Sequence, residues 1–174
     1  MMHTTASKIT MLRVAMIPVF LVLAYTDHRI IATVVFILAS LSDLLDGYIA
    51  RHYNQVSNFG KFMDPLADKI LVLSAMCFLV EKGQMPGWVM AIVLFREFAV
   101  SGLRLVAAEK QHVIAAAWSG KVKTASTMVC LILMLLVSIP VLDTVCCWVI
   151  LLTTVYSGVE YFMKNKDVVD WSDM

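Results

Sequence analysis

The sequence predicts an all-α, polytopic membrane protein with six transmembrane helices and an active-site cavity that faces the cytoplasm. Of its 174 residues, 60% are hydrophobic and 16% are charged, which is too apolar for an ordinary soluble domain of this length. Its apolar residues fall into segments near the length of about 20 residues that a spanning helix needs. Only short polar or turn-rich pieces separate these segments. We therefore expect residues 1–174 to form a single integral membrane domain.

The six segments can be taken in order along the chain. Pro18 is a candidate kink in the first segment. The second closes on aspartates, and the third opens on them after a helix cap at Ser57 or Asn58. The last two are separated at Ser138 to Pro140. The predicted limits are Ile9–Tyr25, Ile30–Arg51, Gly60–Val80, Pro86–Ala108, Gly120–Ile139 and Asp143–Met163.

The distribution of basic residues predicts the orientation in the membrane. If the N-terminus is inside, nearly all lysines and arginines lie on or toward the cytoplasmic side, and Arg29 and Lys82 remain outside. The net charge is +1, so a nucleic-acid partner is not indicated. We expect a multi-pass protein of the bacterial plasma membrane, with both termini toward the cytoplasm.

Four aspartates interrupt the apolar sequence between residues 42 and 69. Asp43 and Asp46 are spaced i,i+3, and Asp64 and Asp68 are spaced i,i+4, so each pair projects from one face of a helix. An aspartate near a bilayer centre costs about 2.5–3.5 kcal/mol, and clustered carboxylates also repel one another. Dense oxygen ligands are what hard divalent cations select. The pattern therefore predicts a site for Mg²⁺ or Mn²⁺, with two ions expected; a surface cluster of caps and salt bridges is the alternative.

The same residues carry a resemblance to a known family. The pattern D-x-x-D-G-x-x-A-R-(x)8-G-x-x-x-D-x-x-x-D, read from Asp43 to Asp68, resembles the signature of the CDP-alcohol phosphotransferases. The resemblance implies a metal-dependent transferase that uses CDP-diacylglycerol and is often a homodimer. It assigns Asp68 as catalytic base as well as metal ligand, and Asp43, Asp46 and Asp64 chiefly as metal ligands.

Several further residues are candidates for binding CDP-diacylglycerol. Small residues at Gly47, Ala50 and Gly60 would let a nucleotide or a neighbouring helix approach the backbone closely. Arg51 could pair with Asp43, Asp46 or a phosphate. Thr10 and Arg13 lie in a segment, ITMLR, that resembles the first helix of bacterial members of the family.

A second polar group of residues suggests the acceptor substrate. Arg96, Arg104, Lys121 and Lys123 would supply cations beside the metal site, as an acceptor that carries phosphate requires. Arg96 could instead form a structural pair with Glu97, and the other three could be cytoplasmic anchors. The segments REFAVSGLR and GKVKT resemble those of the phosphatidylglycerophosphate synthases, which implies sn-glycerol 3-phosphate as the acceptor.

Other functions remain open from the sequence alone. Within the family, inositol phosphate, serine or phosphatidylglycerol could replace glycerol 3-phosphate as acceptor. A divalent-cation transporter would also need intramembrane carboxylates, but it would more naturally place them near the midplane in paired, broken helices. A membrane scaffold would leave the carboxylate density unexplained.

Overall fold

The computed structural model describes residues 5–52, 58–109 and 117–166. Within helices it describes only the backbone of residues 5–10, 43–52, 58–62, 64 and 65. The described residues form six α-helices and no strand, which confirms the predicted all-α class. The helices are α1 (Thr5–Tyr25), α2 (Arg29–His52), α3 (Asn58–Glu81), α4 (Gly87–Glu109), α5 (Trp118–Leu136) and α6 (Pro140–Lys164).

The six helices correspond to the six predicted segments; α1 begins four residues before the predicted Ile9, and the limits between α5 and α6 each differ by three residues. The predicted end of the fifth segment at Ile139 is wrong, because α5 ends at Leu136 and residues 137–139 are not helical. Helix α6 then begins with Pro140 in its first turn, three residues before the predicted start. Both shifts have one cause: proline favours extended backbone before it and suits the first turn of a helix. Helix α1 continues through Pro18.

The bundle has one main hydrophobic core and one smaller cluster. Helix α1 packs on α2 and α3, α5 packs on α6 and α2, and α4 packs on α6. In the main core, Phe20 and Phe36 are fully buried with their ring centroids 5.6 Å apart. Leu71 and Leu131 extend this core to α3 and α5. The smaller cluster, around Val100 and Tyr161, joins α4 to α6 and lies next to the candidate site.

Polar contacts tie the helix connections together at one end of the bundle, which we call the Arg29 end. It comprises the connections 26–28, 82–86 and 137–139. Arg29 donates hydrogen bonds to the carbonyl oxygens of Met134 and Leu135 in the last turn of α5, where helical carbonyls lack a partner. It also donates to the side chain of Gln84, whose amide nitrogen lies 3.0 Å from Oδ2 of Asp143.

Crossing a membrane requires a helix of about 20 predominantly apolar residues. Among the described residues, α5 and α6 are long and apolar enough to span one. Shorter apolar stretches occupy Met11–Tyr25 of α1 and Arg29–Ser42 of α2. Length and composition therefore identify α5 and α6 as candidate membrane spans. That all six helices cross the membrane remains a prediction.

Candidate functional site

A cavity of about 660 Å³ opens between five helices, from α2 to α6. Its size falls in the range of about 300–1,000 Å³ that is usual for small-ligand pockets. We call it the Asp68 cavity. Its wall is apolar where α2 and the middle of α5 contribute and polar where α3, α4 and the start of α5 meet. The polar lining residues include Asp68, Lys69, Arg96, Glu97, Ser101, Arg104, Lys121, Thr124 and Tyr161.

Glu97 is the centre of an ion-pair cluster in this wall. Its Oε1 lies 2.7 Å from Nζ of Lys123 and 2.9 Å from Nη1 of Arg96, and its Oε2 lies 3.7 Å from Nζ of Lys69. The three cations come from α5, α4 and α3, so one carboxylate on α4 connects three helices. Lys69 also donates a hydrogen bond to Ser101. The Arg96–Glu97 pair that the sequence suggested therefore forms, with two lysines added.

Helix α6 leaves room for Arg96. The guanidinium donates a hydrogen bond to Ser157, and a Cβ added at Gly158 would lie 3.2 Å from Cγ of Arg96. That separation is closer than an ordinary carbon–carbon contact of about 3.5–4.0 Å. Gly120 on α5 also faces this side chain, with 3.8 Å between its ideal Cβ position and Nη2. Glycine at position 158 therefore lets α6 pass close to Arg96.

Arg104 lies about two turns beyond Arg96 on α4 and lines the same cavity. Its Nε donates a 2.9 Å hydrogen bond to Oη of Tyr161, and its guanidinium carbon lies 5.5 Å from the centre of the Tyr161 ring. Tyr161 is 2% exposed and therefore provides a fixed support. Lys121 is exposed and reaches the cavity from the first turn of α5.

Asp68 is the one motif aspartate whose side chain the structure describes. It lines the Asp68 cavity and also a smaller one of about 120 Å³, which it shares with Glu97 and Lys123. The backbone of α3 is helical through both Asp64 and Asp68, so the predicted shared helix is confirmed. The structure therefore brings Asp68 to the same wall as the predicted acceptor-binding cations.

Most of the predicted donor and metal residues lie outside the described side chains. These are Thr10, Asp43, Asp46, Gly47, Ala50, Arg51, Gly60 and Asp64. Among the described side chains, no three acidic, histidine or cysteine residues form a group that could hold a metal ion. The predicted metal and nucleotide contacts of these residues stay predictions.

Arg13 is fully buried against α2. Its Nε donates a 3.1 Å hydrogen bond to Oγ of Ser42, the residue before the first motif aspartate. Such deep burial is unusual for arginine and requires several partners. Arg13 therefore fixes α1 beside the start of the aspartate motif.

Sequence reasoning missed Ser157, Gly158 and Tyr161, and it gave no role to Ser101. Ser101, Ser157 and Tyr161 support the cations, and Gly158 makes space for one of them. Glu97 was identified only as a partner of Arg96. The i,i+4 spacing could have predicted a contact between Ser101 and Glu97. The hydroxyl of Ser101 donates a hydrogen bond to the backbone carbonyl oxygen of Glu97. The contacts to α6 depend on helix packing and left no local signal.

Among the described side chains that line the Asp68 cavity, cations outnumber carboxylates. Its described lining contains four cationic side chains, those of Lys69, Arg96, Arg104 and Lys121, against the carboxylates of Asp68 and Glu97. Lysine and arginine side chains close together in a partly enclosed site favour anions such as phosphate. The fold and the cavity together thus define an all-helical protein with an internal, cationic pocket that suits a phosphorylated ligand.

Comparison with known proteins places the chain in a family. A family model described as CDP-alcohol phosphatidyltransferase matches residues 3–156, and the chain belongs to this family. The resemblance seen in the motif is therefore confirmed.

Three relatives illustrate the similarity. A Bacillus subtilis (strain 168) protein named CDP-diacylglycerol–glycerol-3-phosphate 3-phosphatidyltransferase is 39% identical over 194 residues, covering 99% of this chain and all of the relative. A probable phosphatidylglycerophosphate synthase of Mycobacterium tuberculosis (strain CDC 1551 / Oshkosh) is 38% identical, covering 91% of this chain and 80% of the relative. A Rickettsia typhi protein with the same name as the Bacillus relative is 33% identical, covering 95% and 98%.

Proposed function

We propose that this protein transfers the phosphatidyl group of CDP-diacylglycerol to sn-glycerol 3-phosphate, giving phosphatidylglycerophosphate and CMP. The names of relatives that match nearly the whole chain support both substrates. The observation that carries the proposal is the position of Asp68 in the wall of a cavity that also contains Arg96, Arg104 and Lys121. A carboxylate that can accept a proton and cations that can hold a phosphate thus share one pocket.

The proposed roles follow from this arrangement. The phosphate of the acceptor binds to Arg104 and Lys121 at the cavity wall, with Arg96 and Lys123 adding positive charge behind them. The acceptor hydroxyl gives its proton to the Asp68 carboxylate as its oxygen attacks the phosphorus of the phosphatidyl group. The bond from that phosphorus to the CMP oxygen breaks, and CMP leaves with the electron pair. Thr10, Arg13, Gly47, Ala50, Arg51 and Gly60 are the proposed donor-binding residues.

We expect Mg²⁺ or Mn²⁺, with two ions, at Asp43, Asp46, Asp64 and Asp68. Carboxylate oxygens are the ligand type that these ions prefer, and the described placement of Asp68 beside a cavity fits such a role. When bound, the ions would neutralise the pyrophosphate and stabilise the attacking and leaving oxygens. The cations of α4 and α5 would then remain available for the acceptor phosphate.

The proposed setting is a bacterial plasma membrane that all six helices cross, with the Asp68 cavity and both termini toward the cytoplasm. Large apolar side chains on α4 support this setting, because Phe95, Phe98 and Leu105 are each more than 70% exposed. In water such exposure would be costly, whereas lipid chains would cover it. Within this setting, we expect the protein to form a homodimer.

Release of CMP by the purified protein tests the transferase proposal. CDP-diacylglycerol is supplied with glycerol 3-phosphate, serine, inositol phosphate or phosphatidylglycerol in detergent micelles, and the lipid product is identified by mass spectrometry. Phosphatidylglycerophosphate should form much faster than the other products. A faster reaction with another acceptor would overturn the acceptor assignment, and no CMP release with any acceptor would overturn the transferase.

The metal requirement is tested with the same assay. Excess chelator should abolish CMP release, and Mg²⁺ or Mn²⁺ should restore it. Asp43→Asn, Asp46→Asn and Asp64→Asn should each reduce turnover and raise the metal concentration needed for half-maximal rate. Asp27→Asn, which changes an exposed carboxylate at the Arg29 end, serves as the control. Full activity in chelator would contradict the proposed metal dependence.

A further inference from the structure

A second cavity lies at the Arg29 end of the bundle and has no lining residue in common with the Asp68 cavity. Its volume is about 390 Å³, again within the usual range for small ligands. The connections between α3 and α4 and between α5 and α6 form its wall. Along α3, Asp68 and the connection at Lys82 are 14 residues apart, or about 20 Å at 1.5 Å per residue. The second cavity is therefore a separate site.

The distinctive feature of this cavity is a buried carboxylate with an unused oxygen. Asp143 lines the cavity and is only 5% exposed. Its Oδ2 accepts the hydrogen bond from Gln84, whereas its Oδ1 has no hydrogen-bond partner within the described part of the chain. A buried carboxylate with so few donors is costly, and a cation against its cavity-facing side would reduce that cost. Asp143 therefore points to a cationic or hydrogen-bond-donating ligand.

The other lining residues narrow the chemistry of that ligand. Ser138 and Thr144 line the cavity with Asp143, so three side chains with oxygen acceptors are present in its wall. Three acceptors match the three donors of a primary ammonium group. A hard metal ion would need about six oxygen ligands and more negative charge than one carboxylate provides.

The rim of the cavity carries a lysine that can bind phosphate, and it also carries two tryptophan side chains. Lys82 lines the cavity and is exposed, so its ammonium can reach an anion at the mouth. Trp88 and Trp148 also line it, and each is 53% exposed. Exposed tryptophans are characteristic of the level of lipid headgroups, and their ring faces attract cations.

We propose that this cavity binds a primary ammonium group next to a phosphate, as found in the phosphoethanolamine headgroup of a phospholipid. The ammonium lies against the carboxyl group of Asp143, and the phosphate lies against Lys82 at the rim. The acyl chains continue along the exposed apolar surface of the bundle. This proposal does not depend on the transferase reaction, because it concerns the opposite end of the molecule.

Native mass spectrometry of the purified full-length protein tests the site. The protein is titrated in detergent with dioleoyl phosphatidylethanolamine, phosphatidylcholine or phosphatidylglycerol, so that only the headgroup differs. Phosphatidylethanolamine should bind about tenfold more tightly than the other two, because trimethylammonium cannot donate a hydrogen bond and glycerol carries no cation. Equal binding of the three lipids would overturn the proposal.

Two variants locate the binding. Asp143→Asn should weaken phosphatidylethanolamine binding about tenfold, while Asp27→Asn, an exposed change at the same end, should leave it unchanged. Lys82→Gln should weaken phosphatidylethanolamine and phosphatidylcholine alike, since both carry the phosphate. Full phosphatidylethanolamine affinity in Asp143→Asn would overturn the site. The melting temperature of Asp143→Asn shows whether this variant folds. If it does not, the proposal is tested by the headgroup preference of the unmodified protein and by the effect of Lys82→Gln.

Competition with soluble phosphoethanolamine distinguishes a phospholipid ligand from a free phosphoethanolamine ligand. If the lipid is the ligand, millimolar phosphoethanolamine should displace phosphatidylethanolamine only weakly, because it lacks the acyl chains. Displacement at equal concentration would support the headgroup chemistry and overturn the assignment to a lipid.

Discussion

Glu97 places a negative charge among the cations in the wall of the Asp68 cavity. Its carboxylate contacts Lys69, Arg96 and Lys123, and the side chain is 19% exposed. Three cations brought close together would repel one another in the absence of substrate. Glu97 offsets part of that repulsion and fixes where the cations lie. Its position between three helices also makes it important for stability.

Glu97→Gln should lower the free energy of unfolding by about 3 kcal/mol. Removing one partner of a buried ion pair leaves the other charge uncompensated, and the Lys123 side chain is only 6% exposed. Denaturant unfolding in detergent measures this change. Glu160→Gln is the matched control, because the ion pair of Glu160 is with the exposed Lys164 on the same helix, and its loss should have little effect. Equal destabilisation by both variants would contradict the role of the cluster.

Arg104→Ala and Lys121→Ala should each raise the KM for glycerol 3-phosphate about tenfold or more, with much less change in the KM for CDP-diacylglycerol. Charge-assisted contacts to phosphate contribute about 1.5–3 kcal/mol, and about 1.4 kcal/mol corresponds to a factor of ten. Steady-state CMP release, with each substrate varied separately, provides both constants. Lys164→Ala removes a lysine that does not line the cavity and should change neither. Equal rises in both constants would argue against a specific acceptor site.

The residues of the site differ in how far the sequence could predict them. The shared helix face of Arg96 and Arg104 is predictable, because eight residues make just over two helical turns, and both residues line the cavity. The contacts of Glu97 with Lys69 and Lys123 could not be predicted, because they depend on how α3 and α5 pack against α4. Tyr161 was missed for the same reason, since nothing in its local sequence distinguishes it from a core residue.

At the level of elements, hydrophobic segment length predicted all six helices, and local chemistry predicted their ends less well. The observed limits of α5 and α6 differ from the predicted ones because proline ends one helix and starts the next. The apolar sequence from which the limits were predicted continues across Pro140. The connection between α3 and α4 depends instead on Gly83, which adopts a φ of +72°. This conformation is unfavourable for residues with a Cβ atom.

Gly83→Ala should destabilise the protein by about 1–2 kcal/mol, and Gly102→Ala should be neutral or stabilising by up to about 1 kcal/mol. An added Cβ meets no atom within 4 Å at either position, so the difference isolates backbone conformation from packing. Gly102 is inside α4, where alanine is the better helix former. Denaturant unfolding of the two variants measures the contrast. Similar stability of both would mean that the connection tolerates another backbone conformation.

For the whole molecule, we predict that the connection near Asn54 and the segment after Lys164 lie on the cytoplasmic side. Single cysteines are introduced at Asn54 and Lys166 in a background without the native cysteines, and intact cells are treated with a membrane-impermeant maleimide. Both positions should stay unlabelled. A cysteine at Asp27, at the opposite end, is the control and should react. Labelling at Asn54 or Lys166, with none at Asp27, would reverse the topology.

The hydrogen bonds of Arg29 and Gln84 have a consequence for how the bundle can move. They join α2, the α3–α4 connection, α5 and α6 at the Arg29 end, and the Asp68 cavity lies about 20 Å away along α3. Helices held at one end can separate only by tilting about it, as in hinge motion. The fixed end then acts as a pivot, and a small tilt there widens the cavity by an amount that increases with distance. Any widening of the Asp68 cavity for a nucleotide-linked lipid would therefore be greatest at the end of the bundle farthest from Arg29.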